Sequence, residues 1–323
     1  MHTFSHVEGS PGGGLRFVSS EELASADLMA ECISALEARL ARGWDVTEPA
    51  RSIHQVGDGQ LLLMPGWDSS NLVVKINTVL RDGHAGDRPR VQGVLVVFEL
   101  PAMTPVMAVD AAAVTALRTP AVSAVATKHL ARPGASRLVV FGTGPQAVGH
   151  VEAMRLVREI SSVGIVSRTP GPAERLAEEL RRSGLDAAAV PSDAVGNAVA
   201  EADIVCTCTT SRAPVFDGSL LSDGSHVNAV GSHEPTAREL DDATLAGATV
   251  AVDSVEMALR EAGDVVMALD SGALESAAEL IPLAAVVRAE VSTAGAKRTV
   301  FKAVGTAGQD LVTAELLSKL LRR

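Results

Sequence analysis

The segment Leu138-Val139-Val140-Phe141-Gly142-Thr143-Gly144-Pro145-Gln146-Ala147 runs from an apolar stretch into Gly-x-Gly-x-x-Ala. In such a segment the first glycine permits a tight turn out of a strand, and the second lets a pyrophosphate approach the backbone. A small residue at the last position lets the following helix lie close to the strand. The free N–H groups at the start of that helix attract phosphate. The chemistry expected is dinucleotide binding, with Gly142, Thr143, Gly144, Pro145, Gln146 and Ala147 forming the cradle. About 20 residues further on, an acid usually hydrogen-bonds the ribose hydroxyls of NAD. This chain instead reads Ser167-Arg168-Thr169. An acid there would repel a 2′-phosphate, whereas Arg168 can pair with it bidentately and the hydroxyls of Ser167 and Thr169 can donate to it. NADP(H) is therefore favoured, with NAD(H) as the other candidate; the alternative leaves Arg168 as a solvated surface charge.

Ligands of open parallel sheets sit beyond the carboxyl ends of the strands. Thr207, Cys208 and Thr209 lie at the carboxyl end of the fourth expected strand, and Asn228, Val230 and Gly231 lead from the fifth to His233. These residues are placed to line the nicotinamide end, although strand propensity explains threonines equally well. His233 is either a solvated loop residue or a proton carrier, since an imidazole titrates near working pH. Lys75 stands in Val73-Val74-Lys75-Ile76-Asn77 as a lone cation in an apolar strand, and buried lysines are rare unless paired or functional. With Arg51 and Arg118 it supplies three cations in apolar settings that could converge on a carboxylate. Cys206 and Cys208 would face one way from a strand, but no His or Cys follows at ligand spacing, so they read as small buried hydrophobes rather than a metal site. No metal is expected.

Two domains are needed to position these groups. The chain has 323 residues, 47% hydrophobic and 21% charged, which suits folded domains rather than disorder. A formal net charge of −11 and only 2% aromatics argue against a nucleic-acid partner. No apolar run approaches the roughly 18 residues of a membrane span, and the three cysteines read as reduced, which suits a cytoplasmic protein. Residues 1–14 read as a disordered leader. A helix is expected from Ser19 or Ser20 to Gly43, with the apolar spacing Leu28, Cys32, Ile33, Leu36, Leu40. Short β-type runs follow at Gln60–Met64, Leu72–Leu80 and Val91–Leu100, then an Ala-rich helix from about Asp110 to Ala131. From Ser136, strands and helices alternate: Arg137–Phe141, Val163–Ser167, Ala187–Val190, Ile204–Thr209, His226–Val230 and Thr249–Asp253 are strand candidates. The fold class is α/β: a doubly wound, Rossmann-type parallel sheet domain over 119–301, and a split α/β substrate-binding and dimerisation domain over 1–118 with 302–323. The final helix, Gly308–Leu321, returns to the latter.

The sequence resembles the ornithine cyclodeaminase and mu-crystallin family over nearly its whole length. The matching segments include Leu63-Met64-Pro65-Gly66, Val74-Lys75-Ile76-Asn77, Leu117-Arg118-Thr119, the glycine segment, Asn228-Ala229-Val230-Gly231, Arg238-Glu239-Leu240-Asp241 and Val300-Phe301-Lys302. The resemblance implies a homodimer formed through the split domain. It also implies that Arg51, Lys75 and Arg118 hold the carboxylate of an α-amino or α-imino acid, with Met64 beside them. Cyclodeaminases carry an Asp and, four residues later, a Lys in the loop after the fifth strand, where this chain has His233 and Ala237. They also usually carry an acid where this chain has Arg168. Both departures point to NAD(P)H-dependent reduction of a cyclic ketimine carboxylate such as Δ1-pyrroline-2-carboxylate, or the related amino-acid dehydrogenase reaction. Lys75 and His233 are its candidate catalytic residues. Deaminating cyclisation of ornithine, and a non-catalytic protein that binds NADPH or a small ligand, are the alternatives.

Overall fold

A computed structural model describes residues 15–24, 28–80, 89–293 and 295–321; the expected leader at 1–14 lies outside them. In chain order the elements are β1 (Arg16–Val18), α1 (Ser20–Ala24), α2 (Met29–Arg42), β2 (Ser52–Val56), β3 (Gly59–Trp67), β4 (Asn71–Leu80), β5 (Val91–Glu99), β6 (Thr104–Asp110) and α3 (Ala111–Leu130). There follow β7 (Arg137–Phe141), α4 (Pro145–Val157), β8 (Ser162–Val166), α5 (Pro170–Arg182), β9 (Ala187–Ala189), α6 (Val195–Glu201), β10 (Ile204–Thr207), β11 (His226–Ala229) and α7 (Asp242–Leu245). The last are β12 (Thr249–Val252), α8 (Val255–Glu261), α9 (Gly263–Ser271), β13 (Leu280–Pro282), α10 (Leu283–Val287), β14 (Thr299–Lys302) and α11 (Ala307–Leu321). The chain divides into two units: Met1–Leu28 with Asp45–Thr115 and Ala307–Arg323, and Met29–Trp44 with Ala116–Thr306. Helix α2 groups with the second unit rather than with the N-terminal strands, because its apolar side packs on α4 and α10.

In the first unit a six-stranded sheet runs β1-β6-β5-β4-β3-β2, antiparallel except for the parallel β1–β6 pair. Alternation along the strands sends Leu62, Met64, Val73, Lys75, Leu95 and Val97 to one buried face. Helix α11 covers that face through β3 and β4. Gly66 sits so close to it that a Cβ there would meet the Ala307 Cβ at 2.8 Å. The opposite face carries Leu61, Leu63, Val74, Ile76, Val94 and Val96, all apolar and only half-buried.

The second unit holds an eight-stranded, wholly parallel sheet in the order β13-β12-β14-β11-β10-β7-β8-β9. Strand order reverses between β7 and β10, the topological switch point of a doubly wound sheet. The core of this unit joins Val139 and Phe141 of β7 with Val205, Val227, Val250 and Val300 of the neighbouring strands. Helix α4 meets α3 at Gly149, whose Cβ would lie 2.8 Å from the Pro120 ring.

Two histidines of this unit are fully buried, His150 on α4 and His226 at the start of β11. His150 contacts the Gln146 carbonyl at 2.7 Å and the Ser123 hydroxyl at 3.0 Å, and His226 contacts the Thr299 hydroxyl at 2.9 Å and Asn228 Oδ1 at 3.3 Å. Burial pushes their pKa values down to about 4 and about 3. Both are neutral in the folded state, whereas the unfolded chain takes up a proton below about 6.5. Stability should therefore be complete above that pH and decline as pH falls towards the two folded values. Between pH 7.5 and 5.0 each histidine is expected to remove on the order of 2 kcal/mol. Thermal melts at the two pH values check this, and a melting temperature unchanged over that window would contradict it.

Candidate functional site

Strand β7 delivers Gly142 at φ +117°, a left-handed conformation that favours glycine. A Cβ there would also meet the Cys208 carbonyl oxygen at 2.6 Å. The turn is stitched to both neighbours across the switch point: the Gly142 N–H donates to the Val166 carbonyl at 2.9 Å, and the Cys208 N–H donates to the Phe141 carbonyl at 2.8 Å. Gly144 is the N-cap of α4, makes no side-chain cap, and is followed by Pro145 at the first helical position. A Cβ on Gly144 would meet nothing within 4 Å, so the start of α4 opens onto space. Ala147 is fully buried against the sheet, where a larger residue would lift the helix. Thr143 and Gln146 are half-buried on the turn. This cradle fits a pyrophosphate: its N–H groups have no side-chain cap and its glycine leaves room for a close approach.

At the end of β8, Ser167 is half-buried and Arg168 and Thr169 are exposed. Thr169 is the N-cap of α5 without using its hydroxyl, and the Ser167 hydroxyl donates to the Thr169 carbonyl. Arg168 thus projects beside a second open helix start. Arg175 also reaches this turn, 3.4 Å from the position of a Cβ on Gly171, and was not read from the sequence because it looks like any arginine of an exposed helix face.

The ends of β10 and β11 are held by a carboxylate. Glu239 is fully buried and accepts from the Thr207 hydroxyl, the Thr209 N–H and hydroxyl, and the Gly231 N–H. Burial pushes its pKa up. Cys208 lies just past β10 and not within it, and its thiol is pushed well up by burial and then by Cys206 and Glu239, which leaves it inert. All three cysteines are free thiols. Asn228 turns inward, donating to the Thr127 hydroxyl at 2.9 Å, so its amide lies beneath the carboxyl edge. Val230 and Gly231 are half-buried at the edge itself, and His233 is exposed beyond the buried Ser232. Ala237 is buried, and its carbonyl accepts from the Ser232 hydroxyl. Among the described residues no cluster of three or more His, Cys, Asp or Glu could hold a metal.

The cations fall in both units. In the first, Lys75 is 1% exposed on β4, opposite Met64 of β3. Its ammonium lies 2.7 Å from a carboxylate oxygen of Asp310 on α11, itself fully buried. The lone cation of the strand pattern is therefore one half of a buried ion pair. Sequence reading missed Asp310, because a single acid in the first turn of a helix looks like an ordinary dipole partner. Arg51, just ahead of β2, is half-buried. In the second unit Arg118 is 5% exposed on α3. Its guanidinium occupies the space a Cβ on Gly305 would need, 2.5 Å from both terminal nitrogens. Asp253 fixes that turn by accepting from the Gly305 N–H at 2.7 Å and the Val304 N–H at 3.1 Å.

Residues 16–321 match the family model described as the ornithine cyclodeaminase/mu-crystallin family. The chain is 35% identical over 313 residues to ketimine reductase mu-crystallin of Rattus norvegicus, covering 93% of this chain and 96% of that protein. It is similar in structure to Delta(1)-pyrroline-2-carboxylate reductase of Thermococcus litoralis in complex with NADH and L-proline, with TM-score 0.87, 30% identity, and 93% and 95% of the two chains covered. An archaeal alanine dehydrogenase dimer with bound NAD gives TM-score 0.87 at 25% identity, with 94% and 95% covered.

Proposed function

The chain belongs to the ornithine cyclodeaminase/mu-crystallin family, and on that premise we propose that it is an NAD(P)H-dependent reductase of α-imino acids. Cyclic ketimine carboxylates such as Δ1-pyrroline-2-carboxylate represent its substrate class. The observation that carries this reading is the conjunction, in one chain, of an open nucleotide cradle at the switch point and cations held in buried settings at Lys75 and Arg118.

The reduced nicotinamide supplies the hydride when bound. The protein's own residues bind and orient. Lys75, Arg51 and Arg118 engage the substrate carboxylate, Arg118 with a planar two-point contact, and Met64 lies across from Lys75 on β3. Fixing the carboxylate fixes the C=N carbon against the hydride donor, and orientation of this kind supplies a large share of a barrier reduction. The imine must carry a proton to accept hydride readily. His233, exposed on the loop after β11, holds or delivers it. Thr207, Cys208, Thr209, Asn228, Val230 and Gly231 form the nicotinamide end, with Asn228 acting from beneath. Ala237 offers no ammonium where cyclodeaminases carry a lysine, which favours reduction over deaminating cyclisation. The half-buried apolar face of the first unit's sheet suits a second copy, and we assign the homodimer contact to it.

Two incubations test the reading. Pyrroline carboxylate with NADPH should consume NADPH and yield proline, and ornithine with NAD should release no ammonium. Ammonium from ornithine without net loss of cofactor would identify a cyclodeaminase instead.

For the cofactor we favour NADP(H) over NAD(H), supported by Arg168 just ahead of α5 and by Arg175, which reaches the first turn of that helix. Arg168→Asp replaces a phosphate partner with a like charge. It is expected to raise KM for NADPH by about 10- to 100-fold while changing KM for NADH less than about 3-fold. Equal changes for both cofactors, measured in one initial-rate series, would remove the assignment.

A further inference from the structure

The carboxyl edge of the parallel sheet contains a buried charged chain that substrate and phosphate binding leave unused. Glu239 begins it. One carboxylate oxygen, Oε1, accepts from the Thr209 N–H and the Thr209 hydroxyl, both at 2.7 Å. The other, Oε2, accepts from the Thr207 hydroxyl at 2.9 Å and the Gly231 N–H at 2.7 Å. The donors thus come from two separate segments, the end of β10 with the loop that follows it and the loop after β11, and a single side chain closes them on each other. Behind it, Asp264 accepts from the Glu239 and Leu240 N–H groups at 2.7 and 2.8 Å. Its second oxygen lies 2.7 Å from Lys302, whose ammonium also donates to the Ser232 carbonyl at 2.7 Å. Lys302, Asp264 and Glu239 are each fully buried.

The chemistry of this seat is narrow. A glutamine would turn its NH2 group onto the N–H of either Thr209 or Gly231, donor against donor. An aspartate is one methylene shorter and can close on only one of the two loops. Gly231 admits no side chain, since a Cβ would lie 2.1 Å from the Thr209 carbonyl oxygen and 2.5 Å from Glu239 Oε1. A site built to hold two loops at such tolerance, immediately under the residues assigned to the nicotinamide, is suited to setting a transfer distance.

We propose that Glu239 is a positioning residue for hydride transfer: it clamps Thr207–Thr209 to Gly231–Ser232 and so fixes the depth and tilt of the nicotinamide end. This rests on the reductase reading of the same edge. A displacement of about 1 Å at a reacting centre can cost about 10²-fold in rate. The N–H groups at the start of α4 and the Arg168 side chain after β8 are not among the groups Glu239 holds, so cofactor affinity should survive when the clamp is loosened.

The test uses the full chain with pyrroline carboxylate and NADPH, either unlabelled or deuterated at the transferred C4 position. Glu239→Gln is expected to lower kcat by about 10²-fold, to raise the deuterium isotope effect on kcat/KM above the wild-type value, and to change KM for NADPH less than about 3-fold. A purely structural role would reduce the active fraction and leave the isotope effect at the wild-type value, and that result overturns the proposal. If Glu239→Gln does not fold, Thr207→Val, which removes one of the four donors, decides. A higher isotope effect with kcat lowered about 3- to 10-fold supports the clamp, and an unchanged isotope effect refutes it. Wild-type protein that binds NADPH but leaves it unoxidised with every imino acid offered would instead overturn the reductase reading.

Discussion

Lys75→Met is expected to lower kcat/KM for an α-imino acid by about 10³-fold, the scale of losing a desolvated charge from a binding site. It should also destabilise the protein by roughly 3–5 kcal/mol, because Asp310 would remain buried with its nearest cation gone. The single variant therefore confounds the two roles. A double variant separates them. Lys75→Met with Asp310→Leu replaces a buried ion pair by apolar groups of similar volume, an exchange that is often neutral or stabilising. The double variant is expected to recover most of the stability in urea unfolding while remaining as inactive as the single one. If activity returned with stability, Lys75 would be a structural lysine and the substrate assignment would fall.

The second large effect belongs to Arg118. Arg118→Ala should lower kcat/KM by about 10²- to 10³-fold, mostly through KM for the imino acid, with NADPH affinity nearly intact. Arg118→Lys restores the charge without the planar fork and is expected to recover only part of the loss. Gly305→Ala offers an independent route to the same defect. Its Cβ would claim the space of the guanidinium, and φ at this position is +78°, so the turn held by Asp253 must shift. Its KM for substrate should rise in the same direction as that of Arg118→Ala. A Gly305→Ala protein that folds and keeps wild-type KM would show that the placement of Arg118 against the turn has no part in binding.

Much of the second unit was legible because its signals are local. Arg137–Phe141 is a strand over the expected residues, and the glycine turn and α4 follow it, since a four-residue apolar run, two glycines and a proline at the first helical position are each decided by neighbours in sequence. Strands β14 and β13 were not foreseen. Thr299–Lys302 is four residues long and ends in a lysine whose burial depends on Asp264 and Ser232, and Leu280–Pro282 ends in a proline. Nothing in their periodicity separates them from loop, and β14 lies between β11 and β12 through pairings far away in sequence. In the first unit the short edge strands β1 and β2 and the strand β6 were likewise missed, and the long strands β4 and β5 were foreseen within a residue or two.

The candidate site divides the same way. Lys75 was conspicuous because a cation broke an apolar alternation. Its partner Asp310, the clamp Glu239 with Asp264, and Asp253 behind the Gly305 turn are single acids in ordinary helical or loop contexts. Their importance comes from burial for Asp310, Glu239 and Asp264 and from the backbone N–H groups it holds for Asp253, which only the tertiary fold decides. Arg118 was noticed for its apolar surroundings, and the glycine that makes room for it lies on a turn after β14, a strand the periodicity does not reveal.

The claim that this chain transfers hydride to an α-imino carbon is tested most directly by following the label. NADPH deuterated at the transferred C4 position, incubated with the protein and Δ1-pyrroline-2-carboxylate, should give proline carrying one deuterium at Cα for each NADPH oxidised. Proline without deuterium, or NADPH left unoxidised while the imino acid is bound, would contradict the account.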